Sequence, residues 1–234
     1  MDKNKSFSGK ILIVCLLAFT ASCSGPDNSM FPLQQGIWWQ YSIKRFIRGE
    51  PHVQKIVEST LPAVKIKGEK LIPKKRPDGR VEYFQRNSDG VYKVDPETGA
   101  KVVVIKEPTE LGTNWSVESK ILYLKVTGAF ESTYNRKIKN ETIPVKYEIT
   151  ALNETVEVAA GKFRNCIKVE GKGSIYGGGG SLKEFMAIDT INIETTEWYA
   201  PGIGLIKRQR KEYTHPLEFE NNYSVELEQI KTPG

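Results

Sequence analysis

Pro144-Val145-Lys146-Tyr147-Glu148-Ile149-Thr150-Ala151 sorts its side chains by parity: Val145, Tyr147, Ile149 and Ala151 share one face of an extended chain, and Lys146, Glu148 and Thr150 share the other. A period of two with one apolar and one polar face is the pattern of a half-buried β-strand. The same alternation predicts strands over Ile37–Ile47, Val53–Leu61, Arg80–Gln85, Val91–Val94, Lys101–Ile105, Ser116–Thr127, Thr155–Val158, Cys166–Ile175, Leu182–Tyr199, Leu205–Tyr213 and Asn222–Ile230. No window longer than ten residues carries an apolar stripe at helical spacing, so the chain reads as all-β or nearly so. Pro77-Asp78-Gly79, Ser88-Asp89-Gly90 and Glu97-Thr98-Gly99 punctuate the earlier strands at hairpin spacing, which makes the sheet an antiparallel meander. Ten or more such strands curl, and the expected outcome is a single large curved antiparallel sheet, a half-barrel or barrel-like body.

Pro32-x-x-x-Gly36-x-x-Trp39 recurs as Pro108-x-x-x-Gly112-x-x-Trp115. Each copy reads as a strand entry: proline ends the preceding segment, glycine supplies a tight turn, and tryptophan opens the strand with its indole buried. Trp39, Tyr41 and Ile43 then share a face, as do Trp115 and Val117. With Tyr147, Trp198 and Tyr199 these aromatics form either a core cluster or, in part, the lining of a ligand cavity.

Upstream of the strands lies a segment of a different kind. Lys3, Lys5 and Lys10 precede an apolar run, Ile11 to Ala21, that is shorter than the ~20 residues a transmembrane helix needs. Leu16-Leu17-Ala18-Phe19-Thr20-Ala21-Ser22-Cys23 resembles the lipobox of bacterial lipoproteins. That resemblance implies a signal peptide over residues 1–22, cleavage before Cys23, diacylation of the cysteine, and attachment to a bilayer. By resemblance to sorting in enteric bacteria, Ser24 after the cysteine implies the outer membrane, with the body on the periplasmic face. Residues 23–30 are small, polar and turn-forming and read as the lipidated tether, leaving 31–234 as one β domain.

Removing Lys3, Lys5, Lys10 and Asp2 with the signal lowers the formal charge from +6 to +4, a mild excess without a motif for nucleic acid, which export excludes as a partner in any case. Cys15 leaves with the signal and Cys23 carries lipid, so Cys166 is the one ordinary thiol and no intramolecular disulfide forms.

Three blocks carry a wider resemblance. Phe31-Pro32-Leu33-x-x-Gly36-x-x-Trp39-x-Tyr41, Val156-x-Val158-Ala159-Ala160-Gly161-Lys162-Phe163-x-x-Cys166-x-x-Val169, and Trp198-Tyr199-Ala200-Pro201-Gly202-Ile203-Gly204-Leu205-Ile206-Lys207 together resemble a family of exported bacterial proteins of unknown function. Those proteins are similar to the curved sheets of lipoprotein-carrier half-barrels. The blocks are turns and strand entries, so the resemblance implies fold and compartment and assigns no activity.

Candidate chemistry is sparse. Cys166 has only His52 and His215 as possible bases, both beside proline in loop-like sequence, and alternation sets it with Arg164 and Lys168 unless a bulge intervenes; it reads as a small structural residue. No Cys-x-x-Cys, His-x-x-x-His or dense carboxylate loop suggests a metal, and no cofactor is implied. Gly171-x-Gly173 and Gly177–Gly180 miss the nucleotide-binding fingerprints, and the glycine run reads as a loop between strands. Lys65–Arg80 holds seven cations, Lys74, Lys75 and Arg76 among them, which read as solvated edge residues or as a surface for anionic head groups or a partner. The expectation is therefore a non-catalytic, lipid-anchored envelope protein. Its curved face, lined by some of Trp39, Tyr41, Trp115, Tyr147, Trp198 and Tyr199, is expected to bind an apolar or lipid-like ligand. The alternative is an assembly lipoprotein that holds an envelope protein.

Overall fold

The computed structural model describes residues 27–47, 50–122, 124–125, 141–176, 190–215 and 219–233; the segment 1–22, Cys23 and the run Gly177–Gly180 lie outside them. Among the described residues thirteen strands follow one another: β1 (Trp38–Ile47), β2 (Glu50–Thr60), β3 (Val64–Ile66), β4 (Glu69–Lys75), β5 (Val81–Asn87), β6 (Gly90–Val94), β7 (Lys101–Lys106), β8 (Asn114–Lys120), β9 (Thr142–Val158), β10 (Gly161–Tyr176), β11 (Thr190–Ala200), β12 (Gly204–His215) and β13 (Glu220–Lys231). Among the described residues there is no helix.

All ladders are antiparallel, and the spatial order is β7-β6-β5-β4-β2-β1-β13-β12-β11-β10-β9-β8, with β3 paired to the outside of this path on β4. Chain order and spatial order are thus nearly the same circle. The first and last strands lie side by side, Trp39 opposite Ile230 and Ile43 opposite Val225, so the meander closes on itself. A sheet that twists by roughly 20–25° per strand curls over this many strands until its ends approach. Here they approach at β7 and β8, which carry no ladder between them. The sheet is therefore nearly closed into a barrel, with one seam. Apolar side chains bridge that seam: Ile105 and Val103 of β7 belong to the same cluster as Trp115 of β8, Ile149 of β9, Ile167 and Val169 of β10, and Tyr199 of β11.

The repeated Pro-Gly-Trp spacing is one device used twice. Gly36 (φ +86°) and Gly112 (φ +83°) both take the left-handed backbone that glycine adopts without penalty. The Gly36 N–H donates to Thr60 O (3.1 Å) while Thr60 N–H donates to Ile37 O (3.0 Å). In the second copy Gly112 N–H donates to Ile149 O and Ile149 N–H to Thr113 O, both at 2.9 Å. Each turn therefore clips the incoming chain to its neighbour just before the tryptophan, and Trp39 and Trp115 are both buried.

The strands depart from the sequence pattern in four places. β4 lies inside the cationic run that reads as solvated. β8 ends at Lys120 instead of continuing to Thr127, because the chain beyond it turns toward β12: Glu212 accepts from the N–H groups of Leu122 (3.0 Å) and Leu124 (2.9 Å), and Arg210 donates to Lys120 O (2.6 Å). Pro144–Ala151 and Thr155–Val158 merge into one seventeen-residue strand, β9, that runs through Asn153 at φ +58°. On β10 a bulge around Asn165 (φ +56°) breaks the alternation, and Cys166 is fully buried beside Ile167 instead of sharing a face with Arg164.

Candidate functional site

The inner rows of the barrel mix apolar and charged side chains. On β2, Ile56, Glu58 and Thr60 point one way; Glu58 lies opposite Trp39 of β1, and Ile56 opposite Tyr41. On β4, Lys74 lies opposite Thr60 on one side and Glu82 of β5 on the other. Phe84 of β5 is opposite Lys93 of β6. Across the barrel Glu197 of β11 faces Arg208 of β12, and Arg208 faces Val225 of β13. These rows enclose a cavity of about 350 Å³ whose walls include Phe31, Trp39, Tyr41, Ile43, Ile56, Phe84, Tyr199, Leu205, Tyr223 and Val225 together with Glu58, Lys74, Arg76, Glu82, Lys93 and Arg208. That volume lies in the range of small-molecule sites.

The charges form a ladder along one wall. Lys74 Nζ lies 2.8 Å from Glu58 Oε2, Arg76 binds the other oxygen of Glu58, Arg76 Nε lies 3.6 Å from Glu82, and Lys93 Nζ lies 2.6 Å from Glu82 Oε1. Glu58 and Lys74 are 6% and 7% exposed, so this pair is out of water. Burial alone would raise the Glu58 pKa, but Lys74 and Arg76 outweigh it and hold the carboxylate below its ordinary range. Burial draws the Lys74 ammonium down, against the pull of Glu58. Lys74 also stands 4.1 Å from the ring centre of Trp39 and 5.4 Å from that of Phe31, where the ring faces replace part of its lost hydration. Further round the lining, on β12, Arg208 Nε donates to Glu197 (2.8 Å), which also accepts from the Tyr199 hydroxyl. Burial works against the Arg208 cation, but Glu197 outweighs it and raises the pKa well above the usual arginine value. Burial and the neighbouring carboxylates push the Tyr41 and Tyr199 phenols well up, and the Tyr41 hydroxyl donates to Leu205 O at 3.0 Å.

The chain from Asp27 to Leu33 closes part of this wall. The Asp27 carboxylate accepts from the N–H groups of Ser29 (3.1 Å) and Leu33 (2.9 Å), and Arg86 donates to Ser29 Oγ (2.6 Å) and Phe31 O (2.7 Å). Gly202 N–H donates to Ser29 O, and the Phe31 ring packs 5.4 Å from that of Phe84. The described part of the segment that reads as tether, from Asp27 on, is thus docked.

Of the six aromatics named from sequence, Trp39, Tyr41 and Tyr199 line the cavity. Trp115 and Tyr147 stack on each other in the adjoining core, with centres 5.7 Å apart and planes at 10°. Trp198 lies on the other face of β11 and donates its Nε1–H to Glu154 at 2.7 Å. The basic run is split: Lys65, Lys67, Lys70, Lys75 and Arg80 are exposed, while Lys74 of β4 and Arg76 just beyond its end share a parity and turn to Glu58. Cys23 falls outside the described residues. Cys166 is enclosed in the core, and His52 and His215 are exposed. Among the described residues no three His, Cys, Asp or Glu side chains are grouped to hold a metal ion. Glu58, Glu82, Lys93 and Glu197 escape the sequence reading. The signal for Glu58 is a carboxylate on the same parity as Ile56 and Thr60.

No protein-family model and no curated protein matches the chain. Two solved structures do. One is a protein from Bacteroides fragilis inferred to be exported and described with a YmcC-like fold, 19% identical, with 86% of this chain and 98% of the other covered at a TM-score of 0.43. The other, inferred to be a lipoprotein, comes from Parabacteroides distasonis and is 14% identical, with the same coverage and TM-score. Superposition at that level assigns neither a family nor a role, and the functional reading rests on the chain's own geometry.

Proposed function

We propose that this chain is a lipid-anchored protein of the bacterial cell envelope whose barrel cavity shelters an apolar or lipid-like ligand, without catalysis. The observation that carries this reading is the cavity, a preformed space of about 350 Å³ with Trp39, Tyr41, Phe31, Phe84 and Tyr199 in its walls. The anchor is Cys23, acylated after cleavage, and the docked segment begins four residues later at Asp27. Four steps of roughly 3.3–3.6 Å span about 14 Å, which keeps the barrel against the bilayer that holds it.

The test is native mass spectrometry of residues 24–234, exported behind a cleavable signal, before and after organic extraction. A lipid-sized adduct that extraction removes is the expected result. A bare chain mass, together with no mass shift on incubation with envelope lipid extract, overturns the ligand reading. Detergent partitioning of the full chain against Cys23→Ala tests the anchor separately.

A further inference from the structure

The charges on the cavity wall are unequal, and the inequality says what kind of ligand fits. The ladder Lys74–Glu58–Arg76–Glu82–Lys93 begins and ends in lysine, three cations to two carboxylates. Arg208 is a fourth cation on the lining, close enough to Glu58 and Tyr41 to act on both electrostatically. Its own partner, Glu197, is not part of the lining. The ligand therefore meets four cations and two carboxylates, and both carboxylates are already shared between two cations each.

Access differs among these groups in the same sense. The side chains of Glu58 and Lys74 are closed off, whereas those of Lys93, Arg76 and Arg208 are 49%, 35% and 32% exposed, against 27% for the one reachable carboxylate, Glu82. The groups that a ligand reaches are thus mainly cationic. A guanidinium carries five N–H donors in a planar fork suited to carboxylate and phosphate oxygens, and Arg208 commits its Nε to Glu197. The rest of the wall, with Phe31, Trp39, Ile43, Ile56, Leu205 and Val225, offers an apolar surface and no second set of free donors.

We propose that the cavity takes an anionic amphiphile, an apolar chain bearing one carboxylate or phosphate, with the anion held by Arg208, Arg76 and Lys93 and the chain laid against the aromatic and aliphatic wall. This rests on the ligand-shelter reading and narrows it. A wholly apolar ligand would strip water from these cations without replacing its hydrogen bonds, at a cost that an anion avoids.

Calorimetric titration of delipidated residues 24–234, which keep every described strand and the segment from Asp27, separates the possibilities. The probes are dodecanoate, dodecyl phosphate, dodecanol and inorganic phosphate. The two anionic amphiphiles are expected to bind at least tenfold tighter than dodecanol, and inorganic phosphate at least tenfold weaker than dodecyl phosphate. Lys93→Met should weaken dodecanoate binding at least threefold and leave dodecanol unchanged. Arg208→Gln should do the same more strongly, but it strands the buried Glu197, so Lys93→Met decides if that variant fails to fold. Equal affinity for dodecanoate and dodecanol overturns the anionic preference while leaving the shelter intact. Inorganic phosphate binding as tightly as dodecyl phosphate makes the site one for a free anion and overturns the amphiphile. Binding of none of the four overturns the shelter itself.

Discussion

Tyr147 and Gly171 face each other across the β9–β10 ladder so closely that a Cβ on Gly171 would fall 2.8 Å from two carbons of the tyrosine ring. The same Cβ would lie 2.6 Å from Thr195 Cγ2 on the opposite neighbour, β11. The ring cannot retreat freely, because Trp115 stacks on it. Glycine here is a matter of space: its missing side chain lets the aromatic pair lie down on the sheet.

Gly171→Ala should therefore destabilise the barrel by about 1–3 kcal/mol, the usual range for a methyl forced into a packed core. Urea unfolding followed by tryptophan fluorescence measures it. Tyr147→Leu in the same chain should recover part of the loss, since the ring is what the methyl meets. An alanine variant as stable as the parent would show that the neighbours yield at no cost.

The buried Glu58–Lys74 pair predicts an asymmetric response. Glu58→Gln leaves Lys74 charged and out of water with a neutral amide in place of its paired carboxylate, and should cost about 3–5 kcal/mol. Replacing both together, Glu58→Leu with Lys74→Met, should cost much less, because neither charge is then stranded. The pH dependence follows in sign. Folding lowers the Glu58 pKa, so its contribution is complete above the ordinary glutamate value and is lost as the pH falls through the lower folded value. Between about pH 6 and about pH 3 the parent should lose more stability than Glu58→Gln does, and equal losses in the two chains would count against the pairing.

Lys74 also marks where sequence reasoning stops. Alternation recovers β1, β2, β5 to β7, β10, β12 and β13 to within a few residues, and period two is enough to give an antiparallel meander. It misses β4, where Lys70, Pro73, Lys74 and Lys75 look like a solvated edge. What turns Lys74 inward is a carboxylate on another strand, and nothing local announces it. Glu197 is legible only as a parity violation, a carboxylate in line with Ile191, Ile193 and Tyr199, and Arg208, which shares its parity with Arg210, Glu212 and Thr214, makes sense once Glu197 is seen opposite. The extent of β8 is set in the same way, by Glu212 capturing the backbone beyond Lys120 from ninety residues away. Of the aromatics, Trp39, Tyr41 and Tyr199 reach the cavity, but whether a ring lines a space or fills one depends on curvature, which alternation does not encode. Trp115 and Tyr147 fill.

Cys166 sits in the core at 0% exposure, and burial pushes its thiol up. The folded protein should react with a thiol-specific disulfide reagent far more slowly than the unfolded chain, in which the cysteine is free to ionise. Cys166→Ala should be tolerated, with Cys166→Ser the worse of the two, because the core must desolvate a hydroxyl whose neighbouring backbone group is that of Val156. Rapid labelling of the folded chain would contradict the packing.

If Cys23 carries the proposed anchor, Arg86 and Asp27 together set how far the barrel stands from the bilayer. Arg86 holds the backbone at Phe31 and the hydroxyl of Ser29, lies 3.7 Å from Asp27, and is itself steadied by Glu107 at 3.6 Å. Burial works against the Asp27 carboxylate, but the Ser29 hydroxyl, the backbone donors and Arg86 hold its pKa below the ordinary value. The docking it provides is complete above that value and is lost as the pH falls through the lower folded one. Arg86→Ala should free residues 27–33 while leaving the strands paired, since charge-assisted hydrogen bonds of this kind contribute about 1.5–3 kcal/mol each. Amide exchange at Leu33, whose N–H is held by Asp27, should then rise, and proteolysis should remove the segment without unfolding the barrel. With the segment released, the stretch between Cys23 and the first held residue grows from four steps to about ten, and its greatest reach from about 14 Å to about 35 Å. On vesicles bearing the acylated chain, energy transfer from a membrane dye to a label at Lys75 should fall in Arg86→Ala relative to the parent. Unchanged transfer together with unchanged exchange at Leu33 would mean that Arg86 does not hold the segment.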